Sequence, residues 1–159
     1  MEILDIVDEN DNVVGTATRA DIYKKYLCHR IIHVLVFNDA GKMILQKRNS
    51  NLSFCPDHWS TAAGGHVGTG ETYEQAALRE YKEELGATSD LEFLGKIFFQ
   101  TDSTNEFFAV FKTQFNGPFN LNPDEVSEIT AFEINEIKAM IKNGEKFHPE
   151  LIFIINNYF

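Results

Sequence analysis

Residues 64–86 read GGHVGTGETYEQAALREYKEELG, a glycine-rich turn running into an acidic, helix-like segment. No other stretch of the chain leaves fewer architectural choices. Thr72 with Gln75 three positions on has the pattern of a capping box, and Gly86 supplies a helix stop. At 100° per residue, Ala77, Leu78, Tyr81 and Leu85 collect on one side, the expected buried face. Glu80 and Glu84 lie one turn apart with Glu83 beside them, within about a 100° arc bordering that face. The carboxylates are therefore expected where the helix meets the rest of the protein.

Such crowding needs a partner. Like charges at i,i+4 cost an isolated helix about 0.2–0.5 kcal/mol per pair. Burial adds to this, and an unpaired buried carboxylate tends to take up a proton. Arg79 can pair with Glu83 one turn on, and Lys82 lies nearby. A divalent cation answers the repulsion more fully. Hard oxygen ligands suit Mg²⁺ or Mn²⁺, and Mg²⁺ commonly completes its shell with waters and substrate phosphates. Taken alone, E-x-x-E-E more often marks a solvated helix face.

The wider spacing decides between these readings. Gly65, Glu71, Arg79, Glu80, Glu83, Glu84 and Gly86 obey G-x5-E-x7-R-E-x-x-E-E-x-G. At roughly 6% usage per residue type, these fixed positions arise by chance in about one chain in a million or fewer. The pattern resembles the signature of the Nudix hydrolases. It departs at Tyr81, where an aliphatic is common, and at Ala87, where a larger apolar residue is usual; both read as packing variations. The resemblance implies an α+β fold, an α/β/α sandwich with a mixed sheet. It also implies an enzyme that cleaves a diphosphate linked to a further group X with Mg²⁺ or Mn²⁺. Carried over, Glu80, Glu83 and Glu84 hold the metal together with the Gly64 carbonyl. Glu83 and Glu84 are then catalytic, and Gly65, Glu71, Arg79 and Gly86 are structural. The general base in such enzymes is a glutamate in the helix or in a loop outside it.

The rest of the chain is consistent with this. Its 159 residues suggest one domain, residues 1–159, with an N-terminal hairpin and short helix over 1–27 and a catalytic core over 28–159. A net charge of −10 and the lack of a basic stripe argue against a nucleic-acid polymer as partner. Two cysteines without a C-x-x-C read as reduced thiols, and no signal peptide is evident, so a cytoplasmic location is expected. No apolar run approaches the ~20 residues needed to cross a bilayer, so no membrane partner is expected.

Residues 3–7 and 13–18 read as a β-hairpin, with an edge that could pair with a second copy in a homodimer. Thr18 and Asp21 resemble a helix cap. IIHVLVF and KMILQKR flank NDAG as a second hairpin, and LEFLGKIFFQT and NEFFAVFKTQF form a third. VSEITAFEI is a further strand, followed by helices in INEIKAMIKNG and in the tail HPELIFIINNYF.

A second resemblance covers roughly residues 28–115. HRIIHVLVFNDAGKMILQKRN, PDHWSTAAGGH and NEFFAVF are similar to type I isopentenyl-diphosphate isomerase, a Nudix-fold branch that works by proton transfer. Its metal- or substrate-binding residues fall at His29, His66 and Glu106. Its essential cysteine falls at Gly64, its diphosphate-gripping lysines at Asn51, Leu52 and Ser53, and another metal-binding glutamate at Thr104. The chain is therefore read as a hydrolase with isomerase-like framing, the alternatives being an isomerase-like enzyme or a non-catalytic nucleotide-sensing module. Glu106 is a candidate catalytic residue, weighed against a strand-end charge. His66 and Arg48 are candidates for substrate binding, weighed against loop closure and surface charge. Trp59 reads as core or pocket wall. His33, His58 and His148 carry no functional expectation. Substrate choice is expected in the loops NSNLSFCPDH, DST and NGPFNLNPDE.

Overall fold

The computed structural model describes residues 2–159. The chain opens with the hairpin of β1 (Ile3–Val7) and β2 (Val13–Thr18), then α1 (Arg19–Lys24). The Thr18 hydroxyl caps α1 by accepting from the Asp21 N–H at 3.1 Å. There follow β3 (His29–Phe37), β4 (Met43–Arg48), β5 (Trp59–Thr61), β6 (Ala63–His66), α2 (Tyr73–Leu85), β7 (Glu92–Gln100), β8 (Asn105–Gln114), β9 (Val126–Phe132), α3 (Ile134–Lys142) and α4 (Pro149–Tyr158).

The main sheet runs β5-β4-β3-β8-β7, with β6 added to β3 and β9 to β4. β3 and β8 are parallel and the other pairs antiparallel, so the sheet is mixed as expected. Alternation along β3 sends its side chains to two cores. Ile32, Val34 and Val36 pack with Ala76, Ala77, Tyr81 and Leu85 of α2. Ile31 and Leu35 pack with Phe108, Ile137, Leu151 and Ile154 on the α3 and α4 side. Burial of these two faces drives the layering into an α/β/α sandwich.

β3 and β4 share register only at Val36↔Ile44 and Phe37↔Met43. Beyond that point they splay, and the chain steps from β5 on β4 to β6 on β3 at Ala62. The Gln46 side chain fills the step, donating to the Ala62 carbonyl at 2.9 Å. This split places the Gly64–Gly65 backbone beside α2.

The buried face of α2 differs from the expected one. Leu78 is 37% exposed, while Ala76, Ala77, Tyr81, Leu85 and Glu84 are buried. The centre of the inward arc lies near Ala77 and Glu84, about 100° away from Leu78. A carboxylate thus sits inside the helix interface and not on its border. Both helix ends match the sequence: Thr72 and Gln75 form a full capping box, and Gly86 closes the helix at φ 62°.

Candidate functional site

Arg79 organises the acidic cluster. Its Nε donates to Glu71 Oε2 at 2.7 Å, and its Nη2 donates to Glu71 Oε1 and to the His66 carbonyl, both at 2.9 Å. Its Nη1 reaches Glu80 at 2.8 Å and Glu83 at 3.3 Å. The bidentate grip is the strong form of the guanidinium–carboxylate contact. It holds the Glu71 carboxyl below its usual range. Glu71 in turn accepts from the Gly68 N–H at 2.8 Å, so loop and helix are one braced unit.

Gly65 has a more specific role than general backbone exposure. A Cβ there would lie 2.5 Å from the Glu80 carboxyl, so glycine leaves the space that this carboxylate fills. The carboxylate is held by Arg79 and cannot swing aside freely. Gly65→Ala is therefore expected to leave the fold intact but displace Glu80. Mn²⁺ affinity should fall by about tenfold to a hundredfold, the range seen for perturbed ligand environments, as read by titration of the folded variant. Unchanged affinity would show that Glu80 is not a ligand.

Glu84 is the most enclosed member. Its Oε1 accepts from Gln46 Nε2 at 2.6 Å and its Oε2 from the Gly64 N–H at 3.2 Å. Burial, with the charge of Glu80 added, pushes its carboxyl well above the usual range. Burial raises Glu80 as well. Two inward carboxylates competing for one proton are the arrangement a divalent cation relieves. Glu125, in the loop before β9, brings a third. Glu80, Glu84 and Glu125 form the one group among the described residues in which three such donors lie within 4.8 Å of one another. The oxygen-only donor set fits Mg²⁺ or Mn²⁺. Glu83 is more exposed, and it faces a cleft of about 630 Å³ together with Glu80, Glu125, Glu71 and Glu2.

Glu125 was not singled out from sequence, although its loop was. It shares no periodicity with the α2 glutamates, and only the fold carries it to them. Arg48 spends its guanidinium on the carbonyls of Phe54 and Cys55, at 2.9–3.2 Å, bracing the loop between β4 and β5.

The NUDIX domain family model matches residues 28–153. The chain belongs to the Nudix family. It is 34% identical over 151 residues to a Nudix hydrolase of Yersinia pestis, covering 94% of this chain and 81% of that one. It is 33% identical to isopentenyl-diphosphate Delta-isomerase 2 of Photorhabdus laumondii, covering 90% and 84%. The crystal structure of DR0079 from Deinococcus radiodurans superposes with a TM-score of 0.89 at 27% identity, covering 99% of each chain. Nudix membership supports a diphosphate-cleaving hydrolase. Among the described residues no helix is long and apolar enough to cross a membrane.

The isomerase-like positions gather in this Nudix domain too, but on the other face of the sheet. Glu106 stands opposite His29 in the β3–β8 register, with Glu106 Oε2 3.4 Å from His29 Nε2. It points to the α4 side, away from Glu80 and Glu84. His29 donates from Nδ1 to the Leu27 carbonyl at 3.1 Å, which leaves the Nε2 lone pair toward Glu106. Among the described residues, His29 Nε2 and both Glu106 oxygens are buried without a hydrogen-bond partner. Burial, reinforced by the charge of Glu150, pushes Glu106 up to about 11. His33 and His148, which carried no expectation, flank Glu150: His33 Nε2 lies 2.7 Å from it and its own Nδ1 2.7 Å from Thr61. His66 bonds through Nε2 to the Tyr23 hydroxyl at 2.8 Å. Tyr23, Tyr26, Phe54 and Thr101–Thr104 line a second cleft of about 730 Å³ on this side.

Proposed function

We propose that the chain is a metal-dependent hydrolase that cleaves the diphosphate bond of a nucleoside diphosphate derivative or a similar small diphosphate. The observation that carries this is the convergence of Glu80, Glu84 and Glu125 beside the Gly64 backbone. These residues, with the Gly64 carbonyl, would hold Mg²⁺ or Mn²⁺. When bound, such an ion neutralises phosphate charge and lowers the pKa of a coordinated water. Arg79 fixes the angle between Glu80 and Glu83. Glu83, solvent-facing and beside the cluster, is placed to accept the proton of the attacking water. Arg48 acts on group X through the loop it braces, and His66 through the wall it shares with Tyr23. The expected setting is cytoplasmic.

A second reading is favoured by His29 Nε2 and the Glu106 carboxyl, buried side by side without a hydrogen-bond partner among the described residues. Together with His66 they could support proton transfer that converts a homoallylic diphosphate to its allylic isomer, as in the isomerase branch. Gly64 and Thr104, in place of that branch's cysteine and glutamate, argue against it.

A panel of diphosphates with Mg²⁺ or Mn²⁺, isopentenyl diphosphate included, separates the readings. Released phosphate or nucleoside monophosphate is the expected result. A dimethylallyl product would establish the second reading. Tight nucleotide binding without turnover would make the chain a sensing module.

A further inference from the structure

The hairpin of β1 and β2 lies outside the matched domain, which begins at residue 28. It nevertheless touches the catalytic loop at several points. Leu4 and Gly68 form an antiparallel bridge. The Thr69 hydroxyl donates to the Ile3 carbonyl at 3.0 Å. The Gly70 N–H donates to Asp5 Oδ2 at 3.1 Å, and Asp5 is only 6% exposed. Glu2, the residue before β1, lines the cleft with Glu80, Glu83 and Glu125 and lies 3.6 Å from His66 Nδ1.

We infer that β1 is a working wall of the metal site and that Asp5 is its positioning residue, an inference that rests on the hydrolase reading above. The linkage is continuous. Asp5 holds the Gly70 N–H, and Glu71 follows Gly70 in the chain. Glu71 accepts from the Gly68 N–H and grips Arg79, and Arg79 sets Glu80 and Glu83. Without the Asp5 carboxylate, the Gly70 N–H loses its acceptor, and the loop is tied to β1 only at Gly68 and Thr69, upstream of Glu71. Glu71 then no longer enforces one orientation of Arg79. Asp5 touches neither metal nor substrate; it acts through the loop. The loop that the Nudix motif supplies is thus completed by a segment outside the matched residues 28–153.

Mn²⁺ titration of the intact chain, followed by electron paramagnetic resonance, tests this alongside thermal melts. Asp5→Ala should weaken Mn²⁺ by about tenfold to a hundredfold, as for other residues that orient ligands. Asp5→Asn keeps an acceptor oxygen and should stay within about threefold of the parent. Thr69→Val, at an exposed site, should weaken Mn²⁺ in the same direction as Asp5→Ala with little change in Tm. Glu84→Gln serves as the metal-free control. If the parent binds Mn²⁺, the control does not, and Asp5→Ala binds like the parent, the inference fails while the hydrolase reading stands. If Asp5→Ala does not fold, parent-like affinity in Thr69→Val overturns the inference, and weakened affinity supports it. A parent that binds no Mn²⁺ overturns both.

Discussion

Glu84→Gln is expected to lower turnover by two or more decades while the chain stays folded, on the order of 3 kcal/mol in the barrier. The side chain is 4% exposed and shares its interface with Glu80. Its charge is costly to bury; the Gln46 amide and the Gly64 N–H offset part of that cost, and a cation would offset the rest. Removing it therefore does little harm to the metal-free fold and great harm to the loaded one. Thermal melts should reveal this asymmetry. With Mg²⁺ at about ten times its dissociation constant, the parent gains roughly 1.4 kcal/mol by mass action. The variant should show no Mg²⁺-dependent rise in Tm, and its Tm in chelator should match or exceed the parent's. Glu83→Gln should lose turnover to a similar degree, because the proposed proton acceptor at the cleft is removed. Parent-like rates in both variants across the diphosphate panel would end the assignment of the chemistry to Glu83 and Glu84.

Asp11→Ala is expected to destabilise the fold by about 2–4 kcal/mol. Asp11 occupies the hairpin turn at φ 63° and is 8% exposed. Its carboxylate accepts from Arg30 Nε, Lys96 Nζ and the Tyr73 hydroxyl, each at 2.8 Å, tying the turn to β3, β7 and α2. Arg30 also donates to the Asp11 carbonyl at 2.6 Å. Deleting one partner of a buried pair typically costs about 3–5 kcal/mol, because the other charge is left stranded. The expected value is lower because the Lys96 side chain keeps 40% exposure and regains water. Burial alone would raise the Asp11 carboxyl, but the bonds from Lys96, Arg30 and Tyr73 outweigh it and hold the group below its usual range. The stabilisation is therefore complete above the unfolded value of about 3.9 and is lost as pH falls through the lower folded value. Urea unfolding should show the full gap between parent and variant at neutral pH and a narrowing gap in acid. A constant gap would mean that packing, and not the charge, anchors the turn.

Much of the architecture is written in short-range spacing. The α2 capping box, the Gly86 stop, the Thr18 cap and the hairpins through NDAG and DST all involve residues a few positions apart, whose geometry is set by local backbone rules. The motif from Gly65 to Gly86 works in the same way, since a helix of known pitch puts Glu80, Glu83 and Glu84 together without reference to the rest of the chain. The isomerase-like set was legible as positions but not as a place. Alternation along β3 and β8 sends His29 and Glu106 to the face opposite α2, and a list of candidate residues does not carry that sign.

By itself, then, the sequence determined an acidic helix capped at both ends, a glycine turn ahead of it and a family with a diphosphate-directed chemistry. The tertiary structure alone decided that Glu84 is enclosed, that Glu125 joins it, that Gly65 is empty for the sake of Glu80, and that Asp5 and Asp11 fasten the hairpin to the glycine-rich loop, to α2 and to the sheet. The reason is distance along the chain. Asp11 meets Lys96 across 85 positions and His33 meets Glu150 across 117. Contacts of that span are set by how two cores close around one sheet, and no local pattern of residues encodes them.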